Sequence, residues 1–317
     1  MAKGKDYWIE RERDNINREQ MKDAEVAEKL RSIINHALQE AEKEIYSFYG
    51  KYADKNEITR AEAKKRVSEM DVRTFEETAA KYVKEKDFSE KANRELMTYN
   101  TKMRINRQEL LMMQLNAHLV AMANDQVDVF QAYLEQAGTS EVARQAGILG
   151  ANIVISQETL LSIVGASFYS ATWSDRIWND MKALRGELEV AINNSIVRGI
   201  HPYRSVAKLR ERFEVTAFEA RRLLITETAR VQTDAQKLSF EALAEDNEEQ
   251  EYEFVAKLDK KTSKRCENLD GERFKVSDMM PGVNAPPMHP FCRSGTMLVL
   301  GDWRDKFFGE REKKYIL

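Results

Sequence analysis

Cys266, His289 and Cys292 are the residues of this sequence best suited to chemistry. Thiols and imidazoles can ligate a metal ion or act as a nucleophile and its base. The chain has only these two cysteines, and four of its five prolines lie between them. Two residues separate His289 from Cys292, an acceptable spacing for two ligands of one zinc ion.

Three interpretations of these residues are open. A zinc site would need a fourth ligand, for which Asp259, Asp270 and water are candidates. A structural role would pack the two thiols as small buried hydrophobic groups, with His289 bonded to a backbone group or a carboxylate. A catalytic role would make Cys266 a nucleophile with His289 as its base, or make the segment part of a zinc-dependent hydrolase or toxin-like enzyme.

The backbone around the cluster has its own pattern. Asp270 and Gly271 predict a tight turn between two strands, because glycine accepts a positive φ and aspartate tolerates the preceding position. Prolines fix the backbone angles on both sides of the histidine and hold the loop extended. These prolines are Pro286, Pro287 and Pro290.

The segment reads LDKKTSKRCENLDGERF from residue 258 and APPMHPFCRS from residue 285. An upstream ITETAR stretch begins at residue 225, and an Arg-Gly pair precedes it at 198. In order and spacing these elements resemble the C-terminal signature of the Mu F-like phage head morphogenesis family, over roughly residues 173–300. The positions that carry the resemblance beside the Cys/His cluster are Thr226, Glu227, Asp259, Asp270, Gly271, Pro287 and Arg293. Many relatives have further cysteines where this chain has Glu267 and Ser294.

The resemblance implies a structural protein of the virion and not an enzyme. It implies a minor head protein that is made in the host cytoplasm and then lies in the head interior or at the portal vertex. The expected partner is the phage portal protein, bound during procapsid assembly, with scaffolding or major capsid protein as further candidates. Relatives are also associated with packaged DNA, so a non-specific DNA contact is a further expectation.

Local basic patches are the candidates for that DNA contact, since the net charge of −3 gives no global attraction to phosphates. The first patch comprises Lys102, Arg104 and Arg107, and the second comprises Lys208, Arg210 and Arg212. Both have acidic neighbours, so solvated helix faces are the alternative interpretation.

Composition predicts a charge-rich, mainly α protein of more than one structural unit. The chain has 317 residues, of which 42% are hydrophobic and 32% charged. The most apolar stretch, residues 147–168, is too polar to span a membrane. The sequence contains no Walker A motif, no glycine-rich dinucleotide loop and no His-Glu-x-x-His, which removes support for nucleotide-driven packaging and metalloprotease chemistry.

Periodicity predicts a long helical region at residues 1–140, suited to protein interaction and similar to a coiled-coil or bundle seam. A head morphogenesis domain with a small β element is expected at 141–301, followed by a tail at 302–317. The fold class is thus a long helical region followed by a small α+β domain. Capping patterns predict helix starts at Thr59, Ser174 and Thr216, and glycines predict helix ends at Gly50, Gly138 and Gly199. Strands are expected near 252–258, 274–276 and 296–300.

Overall fold

A computed structural model describes residues 5–52, 73–77, 80, 81, 84, 89–94, 106–198, 202–243 and 250–299. Several predictions from the sequence lie outside these residues: the capping box of Thr59 and Glu62, the cations Lys102 and Arg104, the helix end at Gly199, and the 302–317 tail. The described elements are α1 Lys5–Tyr52, α2 Arg107–Leu149, α3 Gln157–Gly165, α4 Trp173–Arg198, α5 Pro202–Glu241, β1 Glu251–Val255, α6 Lys264–Leu269, β2 Arg273–Lys275, a 3-10 turn Val276–Asp278, and β3 Gly295–Leu298. The mainly α class with a small C-terminal sheet is therefore confirmed.

The chain divides into two compact units, and neither is a continuous stretch of sequence. Unit 1 comprises residues 1–25, 132–166 and 222–317, and unit 2 comprises residues 26–131 and 167–221. The helix α2 runs without a break past residue 141, where composition placed a domain boundary. The first part of α1 and the later parts of α2 and α5 belong to unit 1 together with the sheet.

Unit 1 contains the three-stranded antiparallel sheet, in the order β2-β1-β3. The central strand β1 pairs Tyr252 with Phe274 on one side and with Leu298 on the other. Four of its five residues are buried, so both faces are covered and the expected alternation of buried and exposed side chains is only partly visible. The strand predictions are confirmed, with β3 ending at Leu298.

Unit 2 is built from helices. Apolar residues at three-to-four-residue spacing on α1 are buried, including Leu30, Ala37, Ala41 and Ile45. In α2 the methionines Met112, Met113 and Met122 are also buried in the core. Phe130 stacks on Trp173 with ring centroids 5.6 Å apart, which fixes α4 against α2 inside this unit. No helix among the described residues is long and apolar enough to cross a membrane.

Two helix boundaries predicted from the sequence are wrong. Gly138 does not end α2, which continues to Leu149. A Cβ added at Gly138 would lie 2.8 Å from Leu160 Cδ1 and 3.2 Å from Val231 Cγ1, so this glycine permits close packing of helices. Thr216 does not start a helix either: it is buried within α5, where its hydroxyl accepts a 3.3 Å hydrogen bond from the Arg212 guanidinium.

A third prediction has the right helix but the wrong cap. The helix α4 begins at Trp173, and Thr172 is its capping residue in place of Ser174. The Asp175 backbone N–H donates to Thr172 Oγ1 at 3.1 Å, and the Thr172 hydroxyl donates to the Asp175 carboxylate at 2.7 Å. This reciprocal arrangement satisfies a backbone N–H that the first helical turn leaves without a partner.

Candidate functional site

The structure brings Cys266, His289 and Cys292 together in unit 1, as the sequence predicted. Cys266 Sγ lies 3.3 Å from His289 Nε2 and 3.7 Å from Cys292 Sγ. The three side-chain donor atoms all lie within 4.8 Å of one another. Both cysteines are free and buried, and the imidazole is partly exposed.

Short hydrogen-bonded turns position the three side chains. Cys266 is on α6, whose N-cap Ser263 accepts the Cys266 backbone N–H at 3.2 Å. On the loop that carries the other two side chains, the Cys292 backbone N–H donates to the His289 carbonyl at 3.1 Å, which closes a tight turn. Arg265 links α6 to this loop by donating to the Met288 carbonyl at 3.2 Å. Six-residue α6 was not predicted, since its apolar pattern is too short to recognise.

The ring of His289 has a defined orientation. Its Nδ1 lies 2.7 Å from the Pro290 carbonyl oxygen, which can only accept a hydrogen bond. Nδ1 therefore carries a proton, and Nε2 lies towards Cys266 Sγ. Metal-bound histidines usually donate the N–H of their other ring nitrogen to a carboxylate or a backbone carbonyl in the same way.

The two thiols do not share the same acidity. A hydrogen bond from Cys292 is the main cause that lowers the pKa of Cys266 to about 5, against the opposing effect of burial. The hydroxyls of Ser263 and Ser294 act in the same direction. The same sulfur-sulfur hydrogen bond and burial raise the pKa of Cys292. The sulfur-sulfur hydrogen bond thus favours the thiolate form of Cys266 and the protonated form of Cys292.

The distances fit a metal better than they fit a disulfide. Two sulfur ligands of a tetrahedral zinc lie about 3.8 Å apart when each Zn–S bond is about 2.3 Å. A disulfide requires about 2.05 Å between the sulfur atoms. The 3.7 Å separation also suits a thiol hydrogen bond between packed cysteines, so the metal and structural interpretations both remain compatible with the cluster.

Neither aspartate proposed as a fourth ligand lies in the cluster. The carboxylate of Asp259 accepts the Lys261 backbone N–H at 2.8 Å and closes its own turn. The Asp270 carboxylate accepts the Ala256 backbone N–H at 2.7 Å and pairs with Arg13 at 3.3 Å. Among the described residues, no other Cys, His, Asp or Glu joins the three.

The Asp-Gly turn also differs from its prediction in one respect. Gly271 has the positive φ expected, at +82°. The turn joins α6 to β2 and does not connect two strands. The preceding Asp270 ties this turn to the end of β1 through the Ala256 N–H. Asp270 and Gly271 therefore help to hold α6, which carries Cys266, against the sheet. Pro287 is buried and follows Pro286 through a cis peptide bond.

The Thr-Glu-Thr element lies on α5 and also has structural contacts. The hydroxyl of Thr226 accepts the Phe291 backbone N–H at 3.3 Å, which ties α5 to the loop between the histidine and the second cysteine. Glu227 is buried and accepts a hydrogen bond of 2.7 Å from Arg230. Arg230 also donates to the carbonyls of Ile163 and Val164, near the C-terminal end of α3. Glu227 and Arg230 thus form a charged pair in the interior of unit 1.

Arg293 extends the connections to the first helix. Its guanidinium forms an ion pair with the Asp23 carboxylate, which also accepts a 2.9 Å hydrogen bond from the Tyr133 hydroxyl. Asp23 is 1% exposed, and burial raises its pKa although Arg293 opposes the change. Sequence reasoning did not find Asp23, because the two partners are 270 residues apart.

A polar cavity of about 40 Å³ adjoins the cluster in unit 1. Cys292, Arg293, Ser294 and Gly295 contribute to its wall from the C-terminal loop. Acidic and amide side chains line it from the helices: Glu12, Glu19, Asp23, Glu141, Gln232 and Gln236. The place of Ser294 in the wall of this cavity was not predicted.

The basic residues expected to contact DNA belong to unit 2 where they are described. Arg210 pairs with Glu42 at 2.7 Å, and Arg212 pairs with Asp180 at 3.3 Å. Lys208 is exposed, and Arg107 is partly buried. Because Arg210 and Arg212 form ion pairs with carboxylates, the second patch favours a solvated helix face. DNA contact remains a prediction.

Residues 186–297 match the protein family described as Phage Mu protein F like protein. The match begins in α4, includes the Thr-Glu-Thr element and the Cys/His cluster, and ends in β3. The resemblance inferred from the sequence is thereby confirmed over this segment. No curated protein and no solved structure matches the chain.

Proposed function

We propose that this chain, whose residues 186–297 form a phage Mu F-like segment, is a minor structural protein of a tailed-phage head that binds the portal protein during assembly. The family match supports a role in phage head morphogenesis. In this proposal the helical region supplies the surface that binds the portal. The Mu F-like segment is the stably folded part to which that helical region is attached.

The observation that carries the proposal is that the motif residues make contacts inside unit 1. Thr226, Asp270 and Arg293 each bond another part of unit 1, and Cys266 is 2% exposed. A motif whose side chains are engaged in internal contacts builds a fold, whereas a catalytic motif leaves its reactive atom open to substrate. These contacts favour an assembly role.

The arrangement gives little support to a Cys/His nucleophile. A catalytic thiol needs room for a carbonyl or phosphoryl group beside sulfur, and the burial of Cys266 opposes such an approach. The base in such a pair is commonly oriented by a third side chain, whereas His289 Nδ1 is bonded to the Pro290 carbonyl. Burial of the sulfur and the backbone partner of Nδ1 thus weigh against the enzyme alternative, although the thiol and the imidazole lie within hydrogen-bonding reach of each other.

The test is co-expression of the full chain with the portal protein of the same phage, followed by isolation of the complex and cross-linking mass spectrometry. We expect the two proteins to co-purify at a fixed ratio. Cross-links should come from exposed lysines of α1, such as Lys22 and Lys29. Equally exposed lysines beside the cluster, Lys260 and Lys264, serve as the internal control and should give few.

Mass spectrometry of purified virions supplies the second measurement. A few copies of the chain per portal would agree with a minor head protein. Absence both from virions and from portal complexes would refute the proposal. Cross-links that come only from Lys260 and Lys264 would retain portal binding but move the binding surface to the Mu F-like segment.

A further inference from the structure

We infer that Cys266, His289 and Cys292 bind one zinc ion whose fourth ligand is a water molecule beside Ser294, and that this site is structural. The inference goes beyond the proposed assembly role, which holds with or without a metal. It assigns a ligand to the cluster, its fourth coordination position and its purpose in the fold.

The chemistry of the three donors selects the metal. Two thiolates and one imidazole are soft to borderline ligands, which suit zinc and are poor ligands for magnesium or calcium. In tetrahedral geometry, with bonds of about 2.3 Å to sulfur and about 2.05 Å to nitrogen, sulfur and nitrogen ligands lie about 3.5 Å apart. The observed separations are 3.7 Å between the sulfurs and 3.3 Å between Cys266 Sγ and His289 Nε2. Both are close to the distances expected between ligand atoms of a tetrahedral zinc ion.

The ligands are also oriented for a metal before one binds. The Pro290 carbonyl accepts the N–H of His289 Nδ1, so Nε2 is the nitrogen that can bind a metal held by the two sulfurs. Ser263 caps α6 at Cys266, and the 3.1 Å bond between the Cys292 N–H and the His289 carbonyl sets the other two ligands on one turn. Little rearrangement is needed for the three atoms to close on one ion.

The fourth position follows from the surroundings of Cys266. Within the part of the chain that the structure describes, no further Cys, His, Asp or Glu reaches the cluster. Ser294 lies two residues after Cys292, and both residues line the polar cavity. At about 10–15 Å³ per water, a cavity of about 40 Å³ has room for about three water molecules. Water can therefore complete the tetrahedron from that side.

The location of the ligands indicates a structural purpose. Cys266 is on α6, whereas His289 and Cys292 are on the loop that Thr226 of α5 holds through Phe291. A single ion would fasten α6 to this loop, a link for which the described residues otherwise offer the Arg265 bonds to backbone carbonyls. Both sulfurs are buried and the adjoining cavity has room for only a few water molecules, so the metal would stabilise the fold, even though a water ligand is more usual at catalytic zinc sites.

The first test measures metal in the untagged full-length protein, purified under reducing conditions without chelator. We expect about one zinc per chain by elemental mass spectrometry. Cobalt(II) should replace it and give intense absorption from tetrahedral coordination, with sulfur-to-cobalt charge transfer. His289→Ala should weaken zinc binding at least about tenfold, and Cys266→Ser with Cys292→Ser should abolish it. His36→Ala is the matched control, because His36 is exposed on α1, and it should bind zinc as the wild type does.

The outcomes separate the alternatives without relying on a variant that fails to fold. Wild-type protein that retains no zinc, and whose melting temperature does not rise when zinc is added, would overturn the inference in favour of packed thiols. An intact mass lower by two hydrogens, with no metal, would overturn it in favour of a disulfide. Zinc retained by the double cysteine variant would show that the metal is adventitious.

Ser294→Cys tests the fourth ligand separately. If water occupies the position beside this residue, the new thiol should displace it, raise zinc affinity and strengthen the cobalt charge-transfer band. Ser294→Ala should retain one zinc, since the hydroxyl is not itself a ligand. An unchanged spectrum in Ser294→Cys would place the fourth ligand elsewhere and refute that part of the inference.

Discussion

Replacing Gly138 with alanine should destabilise the protein, although alanine is the better helix former. The new Cβ would lie 2.8 Å from Leu160 Cδ1 and 3.2 Å from Val231 Cγ1, both closer than ordinary contact. Leu160 and Val231 are 4% and 0% exposed, so neither can move aside without disturbing the packing around it. Overpacking of this kind costs about 1–3 kcal/mol, against a helix-propensity gain of about 0.5–1 kcal/mol. We expect a net loss of about 1 kcal/mol, within limits of about 0 and 2.5 kcal/mol.

Gly147 provides the control on the same helix. A Cβ there meets nothing within 4 Å, and the residue is exposed. Gly147→Ala should therefore gain about 0.5–1 kcal/mol from reduced backbone entropy in the unfolded chain. Urea unfolding followed by circular dichroism measures both variants. If Gly138→Ala were as stabilising as Gly147→Ala, the close approach of helices in unit 1 would be refuted.

Three further changes test the contacts around the cluster by urea unfolding. Arg293→Met leaves the buried Asp23 carboxylate without its cation and should cost about 3 kcal/mol; a loss below about 1 kcal/mol would contradict a buried ion pair. Thr226→Val removes the acceptor of the Phe291 N–H and should cost about 1 kcal/mol, whereas Thr139→Val, which loses only a bond within its own helix, should cost less. Burial raises the pKa of the Asp23 carboxyl, so folding favours its protonated form. The resulting contribution to the free energy of unfolding is fully present below about pH 4, and it is lost as pH rises through the folded-state pKa. Asp23→Asn should flatten the stability profile over that window, and an unchanged profile would contradict this assignment.

Some elements could be predicted because their residues repeat at a period that sequence shows directly. The buried stripe of α1 recurs every three or four residues, and β1 begins with buried Tyr252 and Phe254 two residues apart. Gly138 was misread because a glycine that ends a helix and a glycine that lets two helices approach are identical in sequence. The same holds for Thr216 and Glu219, whose capping-box spacing occurs here within α5. Only the partner across the contact distinguishes the two cases.

The cluster itself was predictable from the order of its residues, but its surroundings were not. Residue types and the family resemblance indicated that Cys266, His289 and Cys292 belong together. Neither source indicated that Ser294 would line a polar cavity or that Asp23 would form an ion pair with Arg293. Such contacts depend on where α1 packs against the C-terminal loop within unit 1, and no local pattern encodes that position.

The C-terminal loop is held at three points that come from distant parts of the sequence. The cluster joins it to α6, Thr226 joins it to α5, and the ion pair of Arg293 with Asp23 joins it to α1. Because Asp23 is buried, the ion pair with Arg293 forms only where this part of α1 packs against the loop. Contacts that share one loop should be energetically coupled, so removing zinc should cost the Arg293→Met variant a different amount than it costs the wild type. Strictly additive losses would mean that the loop is fastened at each point independently.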